Sequence, residues 1–227
     1  MGVERWGSEA TDDEERFHAM PKDRLRTITD YLPLFADKPL LFEPGTTQEY
    51  SNGGYVILGL IIEKSSGQDY YAYVREHIFE PLGMASTDSY DADAVVPNLA
   101  LGYTRPRQGE PLRSNVYTRP ARGSSAGGGY STAEDMLRFS LALRGGTLLK
   151  PETVRAVFGG LWPTVPSPEL LSGRISGGWA GGAPGINANL EVDAKAGTTI
   201  VVLANLDPPA ATRVARKIRS WLRPNAR

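Results

Sequence analysis

The C-terminal third of the chain constrains the fold most. Three segments, 173–182, 186–192 and 198–206, are rich in apolar or small residues and bounded by glycine, proline and asparagine or aspartate, the pattern of successive strands. Asp193-Ala-Lys-Ala-Gly197 between the last two suits a hairpin loop. Residues 208–222 then place Ala211, Val214, Ile218, Trp221 and Leu222 at helical spacing, giving one apolar face. Strands with short connections pair antiparallel, and the helix needs their sheet to bury that face.

Upstream the periodicity is helical. Leu25, Ile28, Leu32 and Phe35 predict a helix over 23–35, behind Pro21. Pro39, Pro44 and Gly45 mark a loop. Ser51 and Asn52 suit the N-cap of a helix through Tyr55-Val-Ile-Leu-Gly-Leu-Ile-Ile62 that ends near Gly67. Its apolar character on nearly every side predicts burial. Residues 70–79 read as another helix, stopped at Pro81-Leu-Gly83. Residues 84–130 lack periodicity and suggest loops and short strands, including 101–104. Ser131 or Thr132 caps a helix over 133–143, stopped by Gly145-Gly146, and 151–157 reads as a short helix. The expected class is α+β: helices first, then an antiparallel sheet flanked by helices.

Composition narrows the function. Lys plus Arg is 25 against 26 Asp plus Glu, so a basic nucleic-acid-binding surface is not indicated. The absence of cysteine excludes disulfides, thiolate metal sites and a cysteine nucleophile. The longest apolar run, 55–62, falls short of the roughly 20 residues of a membrane helix. The acidic N-terminus has no apolar segment of a signal peptide, so the chain reads as soluble, with no membrane partner, and cytoplasmic by default.

The chemistry concentrates in Phe42-Glu-Pro-Gly-Thr-Thr-Gln-Glu-Tyr-Ser-Asn-Gly-Gly-Tyr-Val-Ile-Leu-Gly59. Residues two apart in an extended segment point to one side, so Tyr50 and Asn52 can face one cleft. This stretch resembles the serine β-lactamase-like family, which includes penicillin-binding proteins, class C β-lactamases and related esterases. Pro120-Ala-Arg-Gly-Ser-Ser-Ala-Gly-Gly-Gly-Tyr-Ser-Thr-Ala-Glu-Asp-Met136 resembles the family's Ala-Gly-Gly turn and following helix, read as scaffold. Gly178-Trp-Ala-Gly-Gly-Ala-Pro-Gly-Ile-Asn-Ala188 stands where the family has its Lys/His-x-Gly strand. The resemblance runs from about Pro44 to the C-terminus. It implies that Tyr50 shuttles a proton and Asn52 positions substrate and nucleophile. It also implies that Trp179 and Gly181 line the substrate and that the Gly182 amide donates to an oxyanion.

Two departures matter. The family's nucleophile is the serine of a Ser-x-x-Lys pair, whose lysine sits one helical turn beyond. The residues three before Lys22, Lys38, Lys64, Lys150, Lys195 and Lys217 are Ala19, Phe35, Ile61, Thr147, Val192 and Val214, so the chain holds no Ser-x-x-Lys. Thr147-Leu-Leu-Lys150 has the spacing, but flanking Gly145-Gly146 and Pro151 predict a loop. The second departure is Trp179. Without a cation there, the resemblance implies poor recognition of a β-lactam carboxylate and a leaning to neutral esters. Tyr50 also loses two cations that would bring its pKa down from ~10.

Other candidates have plainer readings beside them. Gly123-Ser-Ser-Ala-Gly127 fits a nucleophile elbow at Ser125, yet the residues before it do not read as the strand such an elbow needs. His18 and His77 fit structural histidines, and Asp12-Asp-Glu-Glu15 a solvated face. No cluster has metal-ligand spacing, and no cofactor is implied. Tyr50 fits either a cleft position or a tyrosine packed on the core, and Trp179 either cleft lining or a core aromatic.

The expectation is one β-lactamase-related domain over 1–227 with its N-terminal part missing. It has a helical lead-in (1–45), a mostly helical part with Tyr-Ser-Asn (46–170), and the strands and closing helix (171–227). The fold would be an incomplete β-lactamase/transpeptidase-like one, with a sheet edge and an apolar helix face left uncovered. The complete protein would hydrolyse small-molecule esters, amides or β-lactams through an acyl-enzyme, and this chain would be inactive. The alternatives are a catalytically dead binding module that keeps the cleft, and a homo-oligomer formed through the uncovered edge.

Overall fold

The computed structural model describes residues 16–17, 19–47, 49–105, 107–150, 152–154, 176–193 and 196–222. The chain forms two compact units, each assembled from separate stretches of sequence. The first draws on Met1–His77, Asp88–Leu99 and Val116–Tyr130; the second on Ile78–Thr87, Ala100–Asn115 and Ser131–Arg227.

In the first unit, α1 (Asn52–Ser66) begins where Ser51 turns its hydroxyl back to accept the Gly54 N–H at 3.0 Å, and ends at Gly67 with φ +71°. After α1 comes α2 (Tyr70–Val74), capped by the Asp69 carboxylate, and a single π turn, Arg75–Phe79. The core gathers Leu25, Ile28, Tyr31, Leu34, Phe35, Val56 and Tyr71. Both buried tyrosines end on backbone: Tyr31 donates to the Arg122 carbonyl at 2.8 Å and Tyr71 to the Gly123 carbonyl at 2.7 Å. Arg26 holds the loop at Asp91 and Asp93 (2.9 and 2.7 Å).

The apolar spacing over 23–35 marks core positions, but not an α-helix. Two 3-10 helices form instead, Lys22–Arg24 and Thr29–Leu34. Pro33 has no N–H to give an α-helical ladder. The Asp30 carboxylate accepts the Arg26 and Thr27 amides in place of a backbone carbonyl. The expected burial of the 52–66 helix is also corrected: Val56 and Gly59 are buried, but Tyr55, Leu58 and Ile61 lie exposed along one face.

The second unit is layered. A two-stranded ribbon, β1 (Tyr103–Thr104) with β2 (Arg113–Ser114), precedes α3 (Ala133–Arg144), which Thr132 caps. The main sheet follows: β3 (Ser176–Ala183), β4 (Ile186–Asp193) and β5 (Thr198–Ala204), antiparallel in that order. The helix α4 (Ala210–Leu222) closes the unit. Asn187 and Glu191 face α4, while Thr199 on the opposite face meets Ser140 of α3 at 3.0 Å. The sheet is thus flanked by helices, as expected.

The strand positions agree with the sequence reading; residues 173–175 and the middle of the 193–197 loop lie outside the described residues. The apolar face predicted for 208–222 is corrected in part. Ala211 and Ala215 carry the burial, whereas Val214, Trp221 and Leu222 are exposed. No helix among the described residues is long and apolar enough to cross a membrane.

Candidate active site

Within the first unit, Tyr50 and Asn52 flank Ser51, whose φ −145° and ψ 120° are extended. Their side chains therefore project to one side, and the Tyr50 hydroxyl donates to Asn52 Oδ1 at 2.8 Å. Ser51 is pinned by its capping role, which fixes the backbone between them. The Tyr50 ring is 54% exposed and tilts against Tyr55 at 5.8 Å. Partial burial pushes the phenol above its ordinary pKa and the neighbouring Tyr55 adds to the rise. Tyr50 is accordingly a neutral hydrogen-bond donor near pH 7.

Trp179, Gly181 and Gly182 lie together on β3 in the second unit. β3 is the edge of its sheet among the described residues. Trp179 is 43% exposed, and a side chain on Gly181 would meet nothing within 4 Å among the described residues. On the other face, a Cβ at Gly182 would come within 2.4 Å of Pro208 Cγ. The two-residue Pro184-Gly185 turn is closed by Ala183 and Ile186, a hydrogen-bonded pair. Pair types alternate along an antiparallel ladder, so Gly182 and Asn187 are a non-hydrogen-bonded pair. The Gly182 N–H is thereby directed away from β4, toward the sheet edge. A cleft of about 480 Å³ lined by Gly178, Trp179, Ala180, Glu191, Arg219 and Leu222 shares Trp179 with this segment, but neither Gly181 nor Gly182.

Three side chains that the sequence reading passed over hold the turn. Asn115 Nδ2 donates to the Pro184 carbonyl at 3.0 Å, and the Gly185 N–H donates to Asp207 at 2.7 Å. Asn187 Nδ2 donates to the Gly181 carbonyl at 2.8 Å, while its Oδ1 accepts the Ala211 and Thr212 amides of α4. The available signal was Pro184-Gly185 between two strands with a polar residue two places on.

The remaining candidates take the plainer readings. Thr147-Leu-Leu-Lys150 lies beyond the end of α3, past Gly146 at φ +72°. Ser124 and Gly127 exchange backbone hydrogen bonds (2.8 and 3.0 Å) in a tight turn with Ser125 at its tip; no helix follows directly, so this is no nucleophile elbow. His77 is exposed, stacks on Tyr73 at 4.1 Å and shares a hydrogen bond with the Tyr73 carbonyl. His18 lies outside the described residues. Among the described residues no group of His, Asp and Glu could hold a metal ion.

The profile of the family described as Beta-lactamase matches residues 2–223. The chain belongs to this family. As a Beta-lactamase family member it is 30% identical over 164 residues to the serine beta-lactamase-like protein LACTB, mitochondrial, of Bos taurus, covering 66% of this chain and 28% of that protein. It is 32% identical over 170 residues to penicillin-binding protein 4* of Bacillus subtilis, covering 62% of this chain and 36% of that protein. The crystal structure of a penicillin-binding protein from Bacillus halodurans superposes with a TM-score of 0.84 at 28% identity, over 97% of this chain and 70% of that one. The fold is therefore of the β-lactamase/transpeptidase type. The chain spans about a third of the length of these two curated relatives.

Proposed function

We propose that the complete protein is a serine acyl-hydrolase that acts through an acyl-enzyme, and that this 227-residue chain carries its proton-transfer and oxyanion groups without its nucleophile. The observation that carries the reading is the Tyr50–Asn52 hydrogen bond across an extended serine, in a chain of this family. In such a reaction a serine hydroxyl attacks the substrate carbonyl and gives up its proton. Tyr50 relays that proton to the leaving oxygen or nitrogen, and Asn52 holds Tyr50 and the substrate in register. The carbonyl oxygen becomes an oxyanion, which accepts the Gly182 N–H. Collapse of the tetrahedral species breaks the bond to the leaving group, and water then hydrolyses the acyl-serine.

The substrate class follows from Trp179. A half-exposed indole two residues from Gly181 on the same strand offers apolar surface and no cation, which favours neutral esters over anionic β-lactams. Without a Ser-x-x-Lys, this chain by itself is catalytically silent.

The test is labelling of pure folded chain with a fluorescent phosphonate and a fluorescent penicillin, alongside turnover of p-nitrophenyl butyrate. The expected result is no label and no turnover. A covalent label on one serine overturns the reading and names the nucleophile. A second reading, a catalytically dead module that binds or self-associates, draws on the exposed Tyr55, Leu58 and Ile61 stripe of α1. Mass by light scattering that rises with concentration supports self-association, and a strict monomer removes that arm of the reading.

A further inference from the structure

We propose that Asn187 is a positioning residue that aims and polarises the Gly182 amide. The inference rests on the reading of that amide as the oxyanion donor.

The Gly181 carbonyl and the Gly182 N–H belong to one peptide unit. A trans peptide is planar, so its C=O and N–H point in opposite directions. Whatever holds the oxygen of Gly181 also sets the heading of the Gly182 hydrogen. Asn187 Nδ2 donates to that oxygen at 2.8 Å, from the strand opposite. The ladder register directs the same oxygen toward β4, so the two constraints agree and send the Gly182 N–H out from the sheet edge.

Asn187 is itself held. It is 4% exposed, and its Oδ1 accepts the first amides of α4, from Ala211 at 2.8 Å and Thr212 at 3.2 Å. Those amides carry the positive end of the helix dipole. Accepting from them withdraws charge from Oδ1 and makes Nδ2 a stronger donor, and donation to the carbonyl makes the Gly182 N–H a stronger donor in turn. The chain of bonds runs from the α4 N-terminus through Asn187 and the 181–182 peptide to the sheet edge. Glycine at 182 lets the strand lie against Pro208, where a Cβ would collide.

The experiment uses the 227-residue chain and NMR. In the unaltered protein, a scalar coupling from the Asn187 side-chain amide to the Gly181 carbonyl carbon is expected, and its absence overturns the proposal. Asn187→Asp keeps an oxygen for Ala211 and Thr212 but removes the donor to Gly181. The Gly182 amide and Gly181 carbonyl resonances are expected to move in this variant, while the Ala211 and Thr212 amides, still bonded to a side-chain oxygen, keep their protection from hydrogen exchange. Unchanged resonances at 181 and 182 sink the positioning role. Titration with the neutral amide 4-nitrobutyranilide then separates the two claims. A Gly182 shift in the parent chain that falls by more than half in the variant supports both. A shift equal in both proteins overturns the role of Asn187 alone, and no shift in the parent chain overturns the oxyanion reading of Gly182.

Discussion

The Tyr50 hydroxyl points at the amide oxygen of Asn52, two residues on, at 2.8 Å, so the phenol is the donor of the pair. A hydrogen bond that uses the phenolic proton favours the neutral form. Partial burial and Tyr55 push the same way. Tyr50 is expected to titrate above the ordinary ~10 of a free tyrosine. Asn52→Ala removes the acceptor and is expected to bring the titration down. Ring-carbon NMR of labelled tyrosine between pH 8 and 12 reads both values; a Tyr50 that ionises below its ordinary value contradicts the assignment.

Gly59 of α1 and Ser125 of the Ser124–Gly127 turn are in near contact. A Cβ at 59 would stand 2.4 Å from Ser125 Oγ and 2.8 Å from its Cβ. Gly59→Ala is therefore expected to cost about 1–3 kcal/mol through overpacking. Ser125→Gly in the same chain should recover part of that loss, a coupling that urea unfolding of the four proteins measures. Ser125 Oγ is buried with no hydrogen-bond partner among the described residues. Ser125→Ala is accordingly expected to be neutral or stabilising by up to ~1 kcal/mol.

Asp135 does more than begin a helix. Its buried carboxylate accepts the Ser86 amide and the Thr87 hydroxyl, both at 2.8 Å, and pairs with Arg138 at 2.8 Å. Asp135→Ala orphans the Ser86 amide and leaves the Thr87 hydroxyl with Ser131 alone, and is expected to destabilise by about 1–3 kcal/mol. Asp135→Asn keeps one acceptor and should cost less. Equal melting temperatures for the two variants would contradict this account.

Asp207 gives the second unit an acid-sensitive contact. Burial opposes its ionisation, but the Arg105 and Gly185 amides and the Thr104 hydroxyl outweigh it and hold the carboxyl below its ordinary range. A depressed pKa stabilises the fold above the unfolded value near 3.8 and loses that contribution as pH falls through the folded value. Asp207→Asn is expected to cost about 1–2 kcal/mol at pH 7 and to flatten the loss of stability below pH 4. Urea midpoints between pH 2 and 7 check both limbs.

Legibility in the sequence depended on how far each interaction reaches. The β3–β5 strands, the Ser51 and Thr132 caps and the Gly67 stop were readable because caps, turns and alternation act over a few residues. The Tyr50–Asn52 pair was readable for the same reason, being set by one extended residue between them. The 23–35 segment misled because its apolar spacing reports which residues reach the core, and two 3-10 helices present those residues as well as an α-helix would. An uncovered apolar helix face was expected, but that it would be the Tyr55, Leu58 and Ile61 face of α1 was not readable, since an apolar residue carries no mark of whether a neighbour covers it.

The sequence by itself determined the class of fold, the order of its elements, the family motifs and the absence of a Ser-x-x-Lys. All of these are properties of residues near one another along the chain. Only the tertiary structure decided that Tyr71 would end on Gly123, that Asp207 would hold the Gly185 turn, and that Asn187 would tie the Gly181 carbonyl to the start of α4. The Tyr71 and Asp207 contacts join residues far apart in sequence, and the Asn187 bond to Gly181 crosses a turn. A buried polar group must find a partner wherever the fold brings one, and its choice is fixed by packing rather than by its neighbours in the chain.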